Sequence, residues 1–337
     1  MNIGVARNME AAPATTILHG GDLGAVRARF PNAPLPWIDL STGINPVAWP
    51  VPPLPHRIWA VLPTREQDAA LLEAAAARYG VADPASLVAA PGTQALLQLL
   101  PRLLPAARVA IVAPTYEEHA LCWARQGHAV RLVGSVEEAS GADVAVIVNP
   151  NNPTGCLLPP AALRGVRAGL RVIDESFIDL LPPQTSLAGD LPPDTVVLRS
   201  FGKTYGLAGV RLGFAIAPVA LAERLRAELG PWSVSGPALE IGRRALSDTV
   251  WLANTAARLA VDGARLDRLL CNASFEILGG TPLFRLVAHD DAPHAGETLA
   301  RHGIHVRRFE AERRWLRFGL PGDVTAFDRL ADALATR

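Results

Sequence analysis

The stretch Ser200-Phe201-Gly202-Lys203-Thr204-Tyr205-Gly206-Leu207-Ala208-Gly209-Val210-Arg211-Leu212-Gly213 decides the reading of this chain. It sits between two short apolar runs, Val196 to Leu198 and Phe214 to Ala217, so a lysine is carried on a glycine-rich turn between two expected strands. Ser200 lies three residues before that lysine and Arg211 eight after it. One loop thus offers an amine nucleophile, a hydroxyl and a guanidinium, the last two suited to charge-assisted bonds with an anion.

Outward from this loop, Val109 to Ala113, Val144 to Val148 and Arg171 to Ile173 read as further buried strands. Leu71 to Tyr79 and Thr93 to Leu104 read as helices, from their Ala and Leu spacing and adjacent Gly or Pro. Wholly apolar strands separated by helices predict an α/β large domain around a mostly parallel sheet covered on both faces. In such sheets sites form at the carboxyl ends of strands. A boundary is expected near Gly230-Pro231, followed by a long helical region, Pro237 to Leu270. The runs Phe275 to Leu278, Leu283 to Val287, Ile304 to Val306 and Trp315 to Phe318 then predict a smaller α+β C-terminal domain. The expected divisions are an N-terminal segment 1–47, a large domain 48–230 and a small domain 231–337. The Pro-rich stretch Pro46 to Pro63 is expected to be an ordered connection packed through Trp49, Leu54 and Trp59.

Composition narrows the partners. With 337 residues, 50% hydrophobic and 19% charged, the chain has ample core for a cofactor-bearing enzyme of two domains. Lys plus Arg equals Asp plus Glu at 32 each, which gives no electrostatic case for nucleic acid or an anionic membrane. Cys122, Cys156 and Cys271 are widely spaced and lack companion ligands, so neither a disulfide framework nor a metal site is expected. The N-terminus lacks an apolar signal core, and no run of 18 apolar residues occurs. A soluble, cytoplasmic enzyme for a small molecule is the expectation.

Four strand ends carry the candidate chemistry: Pro91-Gly92-Thr93-Gln94, Asn149-Pro150-Asn151-Asn152-Pro153-Thr154-Gly155, Asp174-Glu175, and Ser200-Phe201-Gly202-Lys203. Singly, each is a turn, a cap or a solvated charge. Together they have one economical explanation, an aldehyde cofactor joined to Lys203, with Asp174 keeping a pyridine nitrogen protonated so that the ring accepts electrons. Amides around Thr93, with Ser200 and Arg211, would surround the cofactor's phosphate.

The order and spacing closely resemble the class I/II aminotransferase family of fold-type I enzymes that use pyridoxal 5'-phosphate, and the resemblance spans essentially the whole chain. It implies that fold type and that cofactor. It further implies that Asn152 bonds the cofactor's phenolic oxygen, Asp174 its ring nitrogen, and that Tyr116 stacks on the ring. Gly92, Thr93, Gln94, Ser200 and Arg211 would hold the phosphate, and Arg317 would grip a substrate carboxylate. Lys203, Asp174 and Tyr116 are the implied catalytic residues, and a homodimer is the implied assembly. One position departs from the pattern: Phe177 stands where many members place a tyrosine that donates to the phenolic oxygen. The lysine-bound cofactor is therefore expected to hold its proton to higher pH.

Two N-terminal segments bear on the substrate, His19-Gly20-Gly21-Asp22 and Ile38-Asp39-Leu40-Ser41-Thr42-Gly43-Ile44-Asn45-Pro46. They resemble those of the threonine-phosphate decarboxylases of cobalamin biosynthesis, in which this segment folds over the active site. That resemblance implies a phosphorylated amino acid as partner, with decarboxylation of L-threonine O-3-phosphate as the reaction. Histidinol-phosphate aminotransferases are the alternative, since they share the cofactor residues. His19, Thr42, Asn45 and Arg307 are the candidates for a substrate phosphate, with Arg317 left for the carboxylate, and Gly20 and Gly43 are further substrate-binding candidates in the same segments. The roles of Arg307 and Arg317 could also be exchanged.

Overall fold

The computed structural model describes residues 7–8 and 20–336. Two compact units emerge. Among the described residues the larger comprises 7–8, 49–152 and 157–250, and the smaller 20–48, 153–156 and 251–336.

The larger unit is built on an eight-stranded sheet. Its core is five parallel strands in the order Ala129–Val133, Arg108–Val112, Val144–Val148, Leu170–Asp174, Thr195–Ser200. Gly213–Ile216 adds antiparallel to the last of these, and Leu87–Ala90 pairs antiparallel with it in turn. Arg7–Asn8 pairs antiparallel at the far edge. Every residue of Val144–Val148 is buried, as a central strand covered on both faces requires. Each Val or Ile so buried contributes on the order of 1.5–3 kcal/mol. The expected strands stand within a residue or two of their places, but Leu87–Ala90 and Ala129–Val133 were not foreseen. The second of these is exposed at Ala129 and Arg131, a pattern unlike the continuous apolar runs.

Helix Arg65–Tyr79 begins at a capping box: the Thr64 hydroxyl accepts from the Gln67 amide, and the Gln67 side chain accepts from the Thr64 amide. It packs against helix Gly236–Ser247, which is why the larger unit extends to residue 250 and not to 230. The helical region expected over 237–270 is two helices, Gly236–Ser247 and Thr249–Asn272, parted at Asp248. Asp248 accepts the indole N–H of Trp49 at 3.0 Å. Trp49 is buried as expected, whereas Trp59 is 65% exposed and packs nothing down.

The smaller unit holds a five-stranded sheet ordered Glu276–Thr281, Phe284–Ala288, Trp315–Gly319, Ile304–Arg308, Ile38–Leu40. The first four strands are antiparallel, and the N-terminal strand joins parallel to Ile304–Val306. The N-terminal segment is therefore part of this unit and not a separate piece. Helix Ala292–Arg301 buries Ala292, Ala295, Gly296 and Leu299, and helix Val324–Ala335 buries Phe327, Leu330 and Leu334. These are the three- and four-residue spacings of helices with one apolar face.

Candidate active site

In the larger unit the parallel strands deliver their carboxyl ends, and the turns that follow them carry the expected residues. Asp174 ends Leu170–Asp174 and is 4% exposed. Its Oδ1 accepts the Ser176 hydroxyl at 2.5 Å and the Ser176 amide at 3.0 Å, while Oδ2 lies 3.0 Å from Nε2 of His119. Burial pushes this carboxyl up, but the bond and charge of His119, together with both Ser176 bonds, bring it below the usual carboxylate range. A buried carboxylate held ionised in this way can keep a pyridine nitrogen protonated.

Lys203 stands in the short helix Phe201–Thr204 after Ser200, with Nζ 4.7 Å from the ring centroid of the buried Phe177. Gly92 precedes helix Thr93–Leu99 with φ +84°, and a Cβ there would meet Nη2 of Arg211 at 2.4 Å. Only glycine lets the guanidinium lie against that turn. Arg211 itself adopts a left-handed conformation at φ 55°, costly for a non-glycine residue and consistent with a functional constraint. Thr93 donates its hydroxyl to the Arg199 carbonyl at 3.1 Å. The Gln94 side chain donates to Glu118 at 2.8 Å. Thr115 donates to Asn151 at 2.7 Å, and Asn151 donates to the Pro114 carbonyl at 2.9 Å, which fixes the approach to Tyr116. Asn149 closes the turn bearing Asn152 by exchanging bonds with Leu158. This donor set fits pyridoxal 5'-phosphate: an ionised carboxylate for the ring nitrogen, an amine for the aldehyde, and a guanidinium at a glycine turn for the phosphate.

Three features of this site escaped the reading of the sequence. His119 buttresses Asp174, and its signal was its place three residues after Tyr116, whose ring it meets edge-on at 6.1 Å. Ser176 locks the same carboxylate from two residues away. The third is a count: of 32 basic residues, Lys203 is the single lysine.

The smaller unit gathers the other candidates. Arg317 is 7% exposed and donates Nη2 to the Ser41 carbonyl at 2.7 Å. The Ser41 hydroxyl accepts the Gly21 amide at 2.8 Å and donates to Asp39 at 2.5 Å. A Cβ on Gly20 would strike the Ser41 carbonyl at 2.5 Å, so glycine at 20 is what lets the two N-terminal segments meet beside Arg317. Thr42 and Gly43 follow, with the Thr42 carbonyl so close to Gly319 that a Cβ there would meet it at 2.4 Å. Asn45 is buried, and its carbonyl accepts from Val47 at 3.1 Å and from Arg258 at 2.7 Å. Arg307 pairs in register with Arg317 on the neighbouring strand. His19 lies outside the described residues. Ser41 and Arg258 were missed; Ser41 stood within the quoted motif, whereas Arg258 is 213 residues from Asn45 and has no local signal.

Comparison with known proteins adds to this geometry. A threonine-phosphate decarboxylase from Sinorhizobium sp is 42% identical over 332 residues, covering 95% of this chain and 98% of the relative. A histidinol-phosphate aminotransferase from Shewanella amazonensis is 31% identical, covering 73% of this chain and 75% of its own. Among solved structures, histidinol-phosphate aminotransferase from Sinorhizobium meliloti in complex with pyridoxal-5'-phosphate superposes with a TM-score of 0.76 at 22% identity, covering 93% of each chain. L-threonine-O-3-phosphate decarboxylase from Porphyromonas gingivalis gives 0.73 at 18% identity, covering 89% of this chain and 98% of that one. At these identities the two structures show the fold. The family model for aminotransferase class I and II matches residues 54–334, and the chain belongs to that family.

Proposed function

We propose that this protein is a pyridoxal 5'-phosphate-dependent decarboxylase that converts L-threonine O-3-phosphate to (R)-1-amino-2-propanol O-2-phosphate and carbon dioxide. The observation that carries it is the 42% identity, over 95% of the chain, to a threonine-phosphate decarboxylase. The paired arginines agree. Like charges directly opposite on neighbouring strands are destabilising, so Arg307 and Arg317 in register favour a ligand with anionic groups, and the substrate carries both a carboxylate and a phosphate.

The cofactor, when bound, supplies an aldehyde for the substrate amine and an electron sink for charge left at the α-carbon. Asp174 holds the proton on the ring nitrogen. Ser200, Arg211 and the amides at Thr93 and Gln94 anchor the phosphate, and Tyr116 orients the ring. Lys203 Nζ would hold the cofactor by its aldehyde until substrate binds, and the freed amine would be the group that carries a proton to the α-carbon. Arg317, fixed by Ser41, orients the carboxylate, and Arg307 takes the substrate phosphate. The proposal extends to a homodimer in the cytoplasm, within cobalamin biosynthesis. The exposed side chains of Trp59, Leu62 and Trp232 on the larger unit suit burial in such an assembly.

Purified protein loaded with the cofactor is expected to release carbon dioxide and aminopropanol phosphate from L-threonine O-3-phosphate with no oxo-acid present. Dependence on 2-oxoglutarate, with glutamate formed from histidinol phosphate, would make it an aminotransferase instead.

Phe177 yields a further expectation. Replacing it with tyrosine supplies a donor to the phenolic oxygen, which stabilises the deprotonated form of the lysine-bound cofactor. A spectrophotometric titration of Phe177→Tyr should show the midpoint lowered by about one pH unit, the effect of roughly 1.4 kcal/mol. Identical midpoints for the two proteins would refute this account.

A further inference from the structure

Arg199 immediately precedes Ser200 and is 4% exposed. Its Nη1 donates to Asp179 at 2.5 Å, Nη2 donates to the Ser186 hydroxyl at 3.0 Å, and Nε lies 3.3 Å from Glu175. Glu175 also accepts the Ser186 hydroxyl at 2.6 Å and the Leu187 amide at 2.9 Å. The guanidinium lies 4.6 Å from the ring centroid of Tyr79. Neither carboxylate belongs to the cofactor contacts described above.

Stability alone is a weak reason to bury this cluster. Desolvating a guanidinium and two carboxylates cancels much of their attraction, and well-packed apolar residues commonly do as well. A charged fork differs from apolar packing in fixing direction, because each N–H must meet its oxygen. Here the guanidinium donates to Asp179 and Ser186 and pairs by charge with Glu175 at 3.3 Å; Glu175 and Asp179 stand two residues before and two residues after Phe177, the ring that faces Lys203 Nζ at 4.7 Å. Arg199 lies only four residues before Lys203 in the chain, and its backbone carbonyl accepts from Thr93 at the phosphate turn. One residue therefore joins the lysine turn, the segment after Asp174 and the anion-binding turn.

We infer that Arg199, through Glu175 and Asp179, is a positioning residue that sets where the Lys203 amine stands over Phe177. It rests on the cofactor assignment proposed above, and not on the identity of the substrate. Removing one arm of the fork should let the amine wander and slow its attachment to the aldehyde; misplacements of about 1 Å cost on the order of 100-fold in well-oriented reactions.

The test uses the whole chain stripped of cofactor and then mixed with pyridoxal 5'-phosphate. Attachment is followed by visible absorbance and circular dichroism, and by borohydride trapping with peptide mass analysis. Lys203 is the single lysine, so the trapped side-chain label is unambiguous. Arg199→Lys keeps the charge without the fork, and Asp179→Asn keeps the shape without one charge. The mild Ser186→Ala, which removes a single arm, serves if the other two fail to fold. Folded variants are expected to attach the cofactor roughly tenfold or more slowly than wild type, with a weakened visible dichroic band, and Arg199→Lys should not restore either. Folded variants with the wild-type attachment rate and dichroic band would overturn the inference and leave Arg199 a packing residue. Absence of any label at Lys203 in the wild type would instead overturn the cofactor assignment.

Discussion

Lys203→Ala is expected to abolish turnover, lowering it by roughly 10⁴-fold or more, the scale on which loss of a nucleophile disables covalent catalysis. The reason is both chemical and numerical. An aldehyde can be held on a side chain as an imine only by an amine, and with a single lysine in the chain no neighbouring lysine can substitute. Guanidinium groups stay protonated and cannot take over. The visible band of the lysine-bound cofactor and the side-chain borohydride label should vanish together. Lys203→Arg should fare no better, although it keeps the charge over Phe177. Retention of turnover and of the visible band in Lys203→Ala would remove the central assignment.

Asp174→Asn is expected to keep the fold and lose kcat on the order of 10²–10³, the effect of removing one buried charged group aimed at developing charge. The amide fills the same space and can still bond Ser176, but it cannot balance a protonated ring nitrogen. The pH behaviour follows from the direction of the shift. The folded state favours the ionised carboxyl despite its burial, through His119 and Ser176. Its contribution to stability is therefore fully present above the unfolded value near 4, and is lost as pH falls through the lower folded value. Neutral and mildly acidic buffers should thus leave the ring-nitrogen contact intact in wild type. Steady-state kinetics with the absorbance spectrum of bound cofactor reads the outcome; a kcat within a few-fold of wild type would show that Asp174 serves packing alone.

Much of this site was legible in the chain. Gly92-Thr93, Asn152, Asp174, Ser200 and Lys203 stood out because each sits at the end of a strand, in the turn after one or at the head of a helix, where local composition carries the signal, whereas Arg211 closes a turn just before strand Gly213–Ile216 and was singled out by its spacing from Lys203. Leu87–Ala90 and Ala129–Val133 were illegible for a related reason: one is a short run lying close to a helix, and the other has its apolar run broken by the exposed Arg131. The division at 251 depended on helix Gly236–Ser247 packing against Arg65–Tyr79, a partner far away in sequence. The side-chain carbonyl of Asn45 holds the Val47 turn and the distant Arg258, the second a partner that no local pattern announces.

By itself the sequence determined the α/β large domain and the smaller sheet-bearing domain, because strand periodicity and turn chemistry are local properties of the chain, and the motifs in its turns carried the family resemblance that implies the cofactor. Tertiary structure alone decided what stands behind those residues. His119 against Asp174, Arg199 between Glu175 and Asp179, Ser41 beneath Arg317, and Arg307 opposite Arg317 join segments that no local pattern connects. Hydrogen bonds and ion pairs depend on separations of a few ångströms, and only the completed packing of strands and helices sets them.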